Sequence, residues 1–365
     1  MGRVKFGDVV REVKSNVDRR NNPYEYYIAG GHMDSEEIII HRRGRFADDD
    51  VGPAFIREFH AGQVLYGSRR TYLKKVAFAD FDGVTANTTF VLETKDENIL
   101  CQRLLPFLML SDGFTRWSVM MSKGSTNPYV LFSDIAGYEF DLPAMDEQRK
   151  LARVLWAVND TIEAYKRLMS ATEELVRGQF AEMFGGIEKI QLAEIATIIM
   201  GQSPSSDSYN TNGDGVPFHQ GSGEFTDKYV ADGMFCTAPS RMANAGDVLV
   251  SVRAPVGTVN LTSKDCCIGR GLAAVRSKIS SDCNEYLLYA FRAMKHTFES
   301  MGHGSTVKSI NKNELHNLMI PNADLTEQNK FVALSHQSDK SKSSLQKALT
   351  AARNISRKII SENLN

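Results

Sequence analysis

Apolar positions recur by threes and fours along two long stretches of the chain. From Leu151 the first runs through Leu155, Val158, Ile162, Tyr165, Met169, Thr172, Val176, Phe180 and Met183. That heptad seam predicts one helix over residues 146–184, ended by the glycines of Phe184-Gly185-Gly186. The second runs through Phe331, Leu334, Ser338, Ser341, Leu345, Ala348, Ala352, Ile355 and Ile359. A helix carrying an apolar stripe needs something to cover it, and the simplest cover for each is the other. Small Ser338, Ser341, Ala348 and Ala352 suit close antiparallel approach to bulky Tyr165 and Met169; room for a partner helix is the alternative.

Outside these seams the period shortens to two. Residues 37–40, 75–81 and 88–92 read as strands and 100–110 as a helix; in the second half 247–252, 258–261 and 272–275 read as strands and 285–298 as a helix. The halves echo each other. Ala61-Gly62-Gln63-Val64-Leu65 returns as Ala245-Gly246-Asp247-Val248-Leu249, and Gly124-Ser125-Thr126 returns as Gly304-Ser305-Thr306. Both halves then reach a proline, Pro143 or Pro321, and Asp146-Glu147-Gln148 or Thr326-Glu327-Gln328, where Asp or Thr suits an N-cap and Glu the positive end of the helix dipole. The expected fold is therefore α+β. Two globular domains, residues 1–142 and 186–320, are separated by an antiparallel two-helix coiled coil of residues 143–185 and 321–365, with a pseudo-twofold internal repeat.

At 365 residues and 42% hydrophobic content the chain can bury two ordinary cores. No apolar run reaches membrane-spanning length and the N-terminal stretch lacks a signal-peptide core, so the expected compartment is the cytoplasm. Five cysteines without a C-x-x-C suggest neither a disulfide framework nor a zinc site. Net charge is −1; residues 1–142 hold 18 basic and 20 acidic side chains, and residues 186–320 hold 12 and 13. Bulk charge therefore does not announce a nucleic-acid binder. Basic clusters exist locally, at His41-Arg42-Arg43-Gly44-Arg45 and at Arg69-Arg70-Thr71-Tyr72-Leu73-Lys74-Lys75, and a solvated surface is the plain reading of both.

The order of landmarks resembles the specificity subunit of type I DNA restriction-modification systems. The carrying stretches are residues 61–76 and Asp80-Phe81-Asp82-Gly83 in the first half. In the second they are Gly201-Gln202-Ser203-Pro204, Gly215-Val216-Pro217-Phe218, Gly246-Asp247-Val248-Leu249 and Val252-Arg253-Ala254, with the Gly-Ser-Thr and Glu-Gln landmarks in both. The first half lacks the Gly-x-Ser-Pro stretch of the second, so the two domains are expected to read unlike half-sites. The resemblance implies a non-catalytic subunit that reads a split, asymmetric target on double-stranded DNA. Its implied partners are two adenine-methylating subunits and, in the full enzyme, restriction subunits that translocate DNA. No cofactor is expected on this chain; S-adenosylmethionine, ATP and magnesium are expected on the partners.

With the family in view, Arg42, Arg43, Arg45, Arg69, Arg70, Tyr72, Lys74 and Lys75 become candidate DNA contacts, against the alternative of a core tyrosine and solvated cations. In the second half Gln202, Ser203, His219, Gln220, Arg253 and Arg270 lie on Gly-rich loops; a glutamine pairs adenine bidentately or is merely solvated. Lys123 with Ser125, and Lys308 beside Gly304-Ser305-Thr306, form either phosphate-binding turns or helix terminators.

Two rival classes compete with this reading. Intrinsic chemistry has thin support. Asn22-Pro23-Tyr24 and Asn127-Pro128-Tyr129 each lack the second proline of a base-holding methylase loop, Gly269-Arg270-Gly271 only partly imitates a nucleotide fingerprint, no Walker lysine occurs, and Asp82, Glu93 and Lys95 form a weak nuclease pattern. A coiled-coil scaffold or adaptor without DNA specificity is the other rival, opposed by the bulk of the chain lying in the globular halves. A helix of about 37 residues spans roughly 55 Å against about 34 Å for one DNA turn, enough to space two reading domains along a duplex. Removing one heptad from both helices is therefore expected to shorten the unspecified gap of the target or abolish binding, as read by mapping modified sites; an unchanged gap would contradict it.

Overall fold

The computed structural model describes residues 2–280, 283–301 and 309–364. Both heptad segments are single helices, Met145–Phe184 and Leu325–Asn363. Neither begins at the anticipated cap. Glu147 Oε2 accepts the Ala144 N–H at 3.4 Å, and Asp324 Oδ1 accepts the Glu327 N–H at 2.9 Å, so the caps lie two residues before Asp146 and Thr326. No helix of the described residues is long and apolar enough to cross a membrane.

The chain forms two compact units, Met1–Lys166 with Lys347–Asn365, and Arg167–Gln346. In the first, Val10–Val13, Thr89–Thr94, Val64–Gly67 and Val76–Phe78 lie side by side in that order as an antiparallel sheet. Side chains alternate across it. Val64, Tyr66, Phe90 and Leu92 face helices Leu105–Met109 and Asp112–Met120 and the central helix at Leu155 and Trp156, whereas Leu65, Ala77 and Val91 face Ile28 and Phe59 of a second sheet. That second sheet contains one parallel pair, Tyr26–Ile28 with Gly83–Ala86.

The second unit repeats this plan. Ala196–Met200, Leu272–Ser277, Val248–Ser251 and Val259–Leu261 form the antiparallel sheet, and Val216–His219 pairs with Cys266–Ile268 in parallel. Val248, Val250 and Val275 face helix Cys283–Ala293, whereas Leu249, Leu272 and Ala274 face the second sheet. The repeat persists to single hydrogen bonds. Gly62 and Gly246 take φ of +91° and +86° in matching turns. Asp82 accepts the Ala61 N–H at 2.8 Å, as Asp265 accepts that of Ala245 at 2.8 Å. Gln102 accepts from Thr94 N–H at 2.7 Å and donates to the Gly62 carbonyl at 2.8 Å; Asn284 bridges Ser277 and Gly246 at the same distances.

Within each unit the long helices run antiparallel. In the first, residues 151–156 meet 359–364 in one core, while Lys166 and Arg353 meet at Glu37. In the second, Phe180 meets Phe331 tilted and Phe184 meets it edge-to-face, and Glu173 pairs with Lys342 at 2.6 Å. The first seam is buried or half-buried at every anticipated position. The second departs at alternate positions: Ser341 and Ile355 face outward, and half-buried Leu334 and Ala348 adjoin the more deeply buried Ser335 (1% exposed) and Leu349 (5%). A seven-residue repeat is satisfied by a 3–4 or a 4–3 alternation, and the choice is made by what packs against the helix.

Three element assignments are corrected. Residues 37–40 are a loop: Ile38 alone is fully buried, and Glu36 and Glu37 are held by Arg357 and Arg353. Residues 100–110 divide into a 3₁₀ turn, Gln102–Leu104, and helix Leu105–Met109, followed by helix Asp112–Met120 capped by Ser111. The 285–298 helix is two, Cys283–Ala293 and Lys295–Met301.

A buried glutamine lies one turn inside each long helix, and in the first unit it fastens the helix to the domain. Gln148 accepts the Cys101 N–H and donates to the Ile99 and Pro143 carbonyls, each at 2.9 Å; Gln328 donates to the Ala323 carbonyl at 2.8 Å. Gln148→Ala leaves those buried backbone groups without partners and is expected to cost about 1–3 kcal/mol, measured by urea unfolding; a variant as stable as the parent would refute the anchoring role.

Candidate nucleic-acid interface

Beyond strand Val64–Gly67 the chain must turn back toward Val76, and the turn is built around buried Thr71, whose hydroxyl lies 3.2 Å from that of Ser122. Arg70 and Lys74 flank this 3₁₀ turn with φ of 51° and 48°, a left-handed conformation that side chains other than glycine adopt at a cost. The Arg70 N–H donates to the Pro128 carbonyl at 2.7 Å and the Val130 N–H to that of Ser68 at 3.0 Å. Those bonds bring the hairpin loop 123–129, with Gly124 at φ +86° and exposed Ser125, beside the arginines. Two clusters far apart in sequence thus share one surface: Arg69 lies 5.8 Å from the Tyr129 ring, Arg70 is exposed, and Tyr72 is 55% exposed rather than core.

The lysines of that surface are tethered. Lys74 pairs with Asp112 at 3.1 Å and Glu36 at 3.4 Å, Lys75 donates to the Gly30 carbonyl, and Lys123 reaches both Asp134 oxygens at 2.9 Å. Although burial works against it, the Leu131 N–H and the Lys123 ammonium hold the Asp134 carboxyl below its usual range. Arg42 pairs with Asp34, Arg45 with Glu25 at 2.6 Å, and Arg43 lies 3.9 Å above the Tyr26 ring on the second sheet.

In the second unit four turns converge because glycines let their backbones touch. A Cβ on Gly201 would meet the Gly269 oxygen at 2.1 Å, and one on Gly271 the Gln220 oxygen at 2.4 Å. The result is a cleft of about 240 Å³ lined by Gln220, Ser222, Ser251, Arg253 and Arg270. Ser203 stands at its edge, its Oγ accepting the Arg270 N–H at 3.4 Å, and exposed Gln202 adjoins it, its carbonyl accepting from Ser240. His219 is the exception. Its side chain is 0% exposed and neither ring nitrogen has a partner among the described residues, so the anticipated DNA contact is corrected: the ring belongs to the interior. Gly304-Ser305-Thr306 and Lys308 lie outside the described residues.

The pseudo-symmetry exposes a relation the sequence reading left unstated. Arg69 and Arg253 occupy one position of the repeat. Each is exposed, follows the matching sheet strand, and forms an isolated antiparallel bridge, to Tyr129 and to Ser309 respectively. The shared frame from Ala61-Gly62 and Ala245-Gly246 to the two arginines was signal enough to pair them.

The residues considered for catalysis serve the frame. Asp82 holds Ala61, Glu93 accepts from Gln63 and Arg11 at 2.9 and 2.7 Å, and Lys95 donates to the Gly7 carbonyl at 2.6 Å, a bond repeated by Lys278 to Ala193 at 2.6 Å. Gly269-Arg270-Gly271 leads into strand Leu272–Ser277 and not into the helix that a nucleotide fingerprint requires. Glu37, His41 and Glu163 present their ligating atoms within 4.8 Å of one another. Their charge is met internally, since Lys166 lies 2.6 Å from Glu37 and 2.9 Å from Glu163, and Arg353 lies 2.8 Å from Glu37.

Comparison with known proteins agrees with this architecture. A family described as type I restriction modification DNA specificity domain matches residues 13–172 and again 185–352. A Methanocaldococcus jannaschii protein, provisionally named as the type I restriction enzyme MjaX specificity subunit, is 33% identical over 208 residues, covering 51% of this chain and 49% of that relative. The match thus spans about half the relative's length. A solved chain from work on complex assembly and conformational transition of the type I R-M system is 28% identical, with a TM-score of 0.61, covering 100% of this chain and 97% of that one. The type I S subunit from M. genitalium, 14% identical with a TM-score of 0.57, covers 100% and 96% and shares the fold.

Burial of His219 lowers its pKa, opposed by the charges of Glu224 and Asp232 and assisted by Lys264. The folded domain therefore favours the neutral ring, and the stability this supplies is full above the ordinary value of 6.5 and lost as pH falls below it. His219→Leu is expected to be near neutral in stability at pH 8 and to lose less melting temperature than the parent on acidification to pH 5; identical pH profiles would refute this.

Proposed function

The chain belongs to the type I restriction modification DNA specificity family, and from that membership we propose that it is the subunit through which such an enzyme reads its DNA target. The target is bipartite and asymmetric, one half read by each domain. Partner subunits carrying S-adenosylmethionine methylate adenine at the sites so chosen, and restriction subunits using ATP and magnesium act through the same address. Two methylating subunits bind this chain, and the assembly works in the cytoplasm.

The observation that carries this reading is the pair Arg69 and Arg253. One exposed guanidinium stands at the same point of two domains whose neighbouring surfaces differ. A matched cation beside unmatched side chains is what two readers of one polymer require: the backbone is common to both half-sites and the bases are not. Domain one offers Arg70 and Tyr72 on a strained turn, domain two Gln220 and Arg270 in a cleft, which supports unlike half-sites. The near-neutral charge supports a division of labour in which the partners add clamping and phosphate contacts.

Co-expression with the methylating partner in a methylation-free host, followed by genome-wide mapping of modified adenine, is expected to give a split motif that vanishes when this chain is omitted. No modification with a folded, cofactor-bound partner would favour a scaffold.

A further inference from the structure

We propose that Arg70 reads a guanine in the half-site of the first domain, while Arg69 and Arg253 contact the DNA backbone. This rests on the DNA-reading function proposed above and assigns separate roles to neighbouring residues of one turn.

The division follows from what the two domains share. Arg69 and Arg253 are equivalent in the repeat, each fixed by a bridge between its own backbone and the segment beyond the Gly-Ser-Thr landmark. An arginine whose backbone is held at the same place in two domains with unlike targets is suited to what both targets have in common, the sugar-phosphate chain. The next position diverges: Arg70 in one domain, Ala254 in the other. Difference at a matched position is what specificity needs.

Arg70 also has the geometry of a reader. Its backbone sits at φ 51°, ψ 57°, locked by its N–H on the Pro128 carbonyl at 2.7 Å and by its own carbonyl receiving the Leu73 N–H at 2.9 Å. Glycine would occupy that conformation without strain, so an arginine there is explained by its side chain and not by the turn. The turn is pinned from both sides by Thr71 on Ser122 and by Lys74 on Asp112 and Glu36, which makes Lys74 a positioning residue. The described residues give the exposed Arg70 guanidinium no ion-pair partner, in contrast to Arg42 and Arg45. A planar fork of donors on a fixed turn matches the O6 and N7 acceptors of guanine in the major groove, a fit that a lysine ammonium cannot reproduce.

The test compares Arg70→Lys, Arg70→Gly and Arg69→Lys in the full chain, each co-expressed with the methylating partner, by mapping modified adenine and by thermal melting. The parent motif is expected to contain a guanine in one half-site. Arg70→Lys and Arg70→Gly are expected to lower discrimination at that position at least tenfold and leave the other half-site unchanged, with Arg70→Gly melting no lower than the parent. Arg69→Lys keeps the parent motif. An Arg70→Lys protein that methylates the parent motif with parent selectivity would overturn the assignment, as would an Arg70→Gly protein that melts lower and loses both half-sites together. A parent chain that directs no split motif would instead remove the underlying function.

Discussion

Burying the backbone at the ends of sheet strands without leaving its N–H and C=O groups unpaired is the requirement on which both domains rest. The ladder satisfies the middle of each strand; the turns beyond it need side chains. Gln102 in one domain and Asn284 in the other solve this in the same way, each amide receiving an N–H at the end of one strand and donating to the carbonyl of the left-handed glycine that opens the next. Gln148 performs a similar service at the start of the central helix, where three backbone groups from two loops converge on one side-chain amide. An amide is the suitable group because it donates and accepts at once and carries no charge into the interior. The loops that present Arg69 and Arg253 are held in register by this scaffold.

Equivalent positions need not keep their chemistry. In the first domain Gln63 donates to Glu93, which also pairs with Arg11; in the second, buried Asp247 takes a two-bonded grip on Arg276. The acid has changed sides of the pair. The His60 and Asn244 N–H groups are nonetheless received by Gln63 and Asp247 at 2.8 Å in both cases. Backbone demand is thus the invariant and side-chain identity the variable, which is why the repeat is strong in geometry and faint in residues.

This also explains what sequence patterns revealed. The α+β class, the two long helices and the glycine turns at 62 and 246 were legible because periodicity and a positive φ follow from local chemistry. The alternate positions of the second seam were not, because Leu334 and Ser335 both satisfy the spacing and only the packed neighbours choose between them. Residues 37–40 misled for a related reason: an apolar triplet looks like a strand, yet Glu36 and Glu37 draw the segment into ion pairs with residues some 320 positions away. At the candidate site, the arginine pair was visible as a cluster, whereas its meeting with loop 123–129 depended on long-range backbone bonds. His219 was misread because a histidine beside a Gly-rich loop carries no mark of which way its strand faces.

The fate of the basic residues links the near-neutral composition to a reading role. Of the first domain's cations, Lys74, Lys75, Lys95, Lys123, Arg42 and Arg45 are occupied by carboxylates or carbonyls, work that fixes loops and reduces the field available to a distant phosphate. A protein that gripped DNA by charge alone would leave them free. Here exposed Arg70 stands on a turn stiffened by tethered Lys74. Such a surface gains little from indiscriminate attraction, which strengthens binding to all sequences alike, and keeps the contacts whose worth depends on which base is present. Discrimination is a difference of affinities, so a surface with little general attraction gives up none of it.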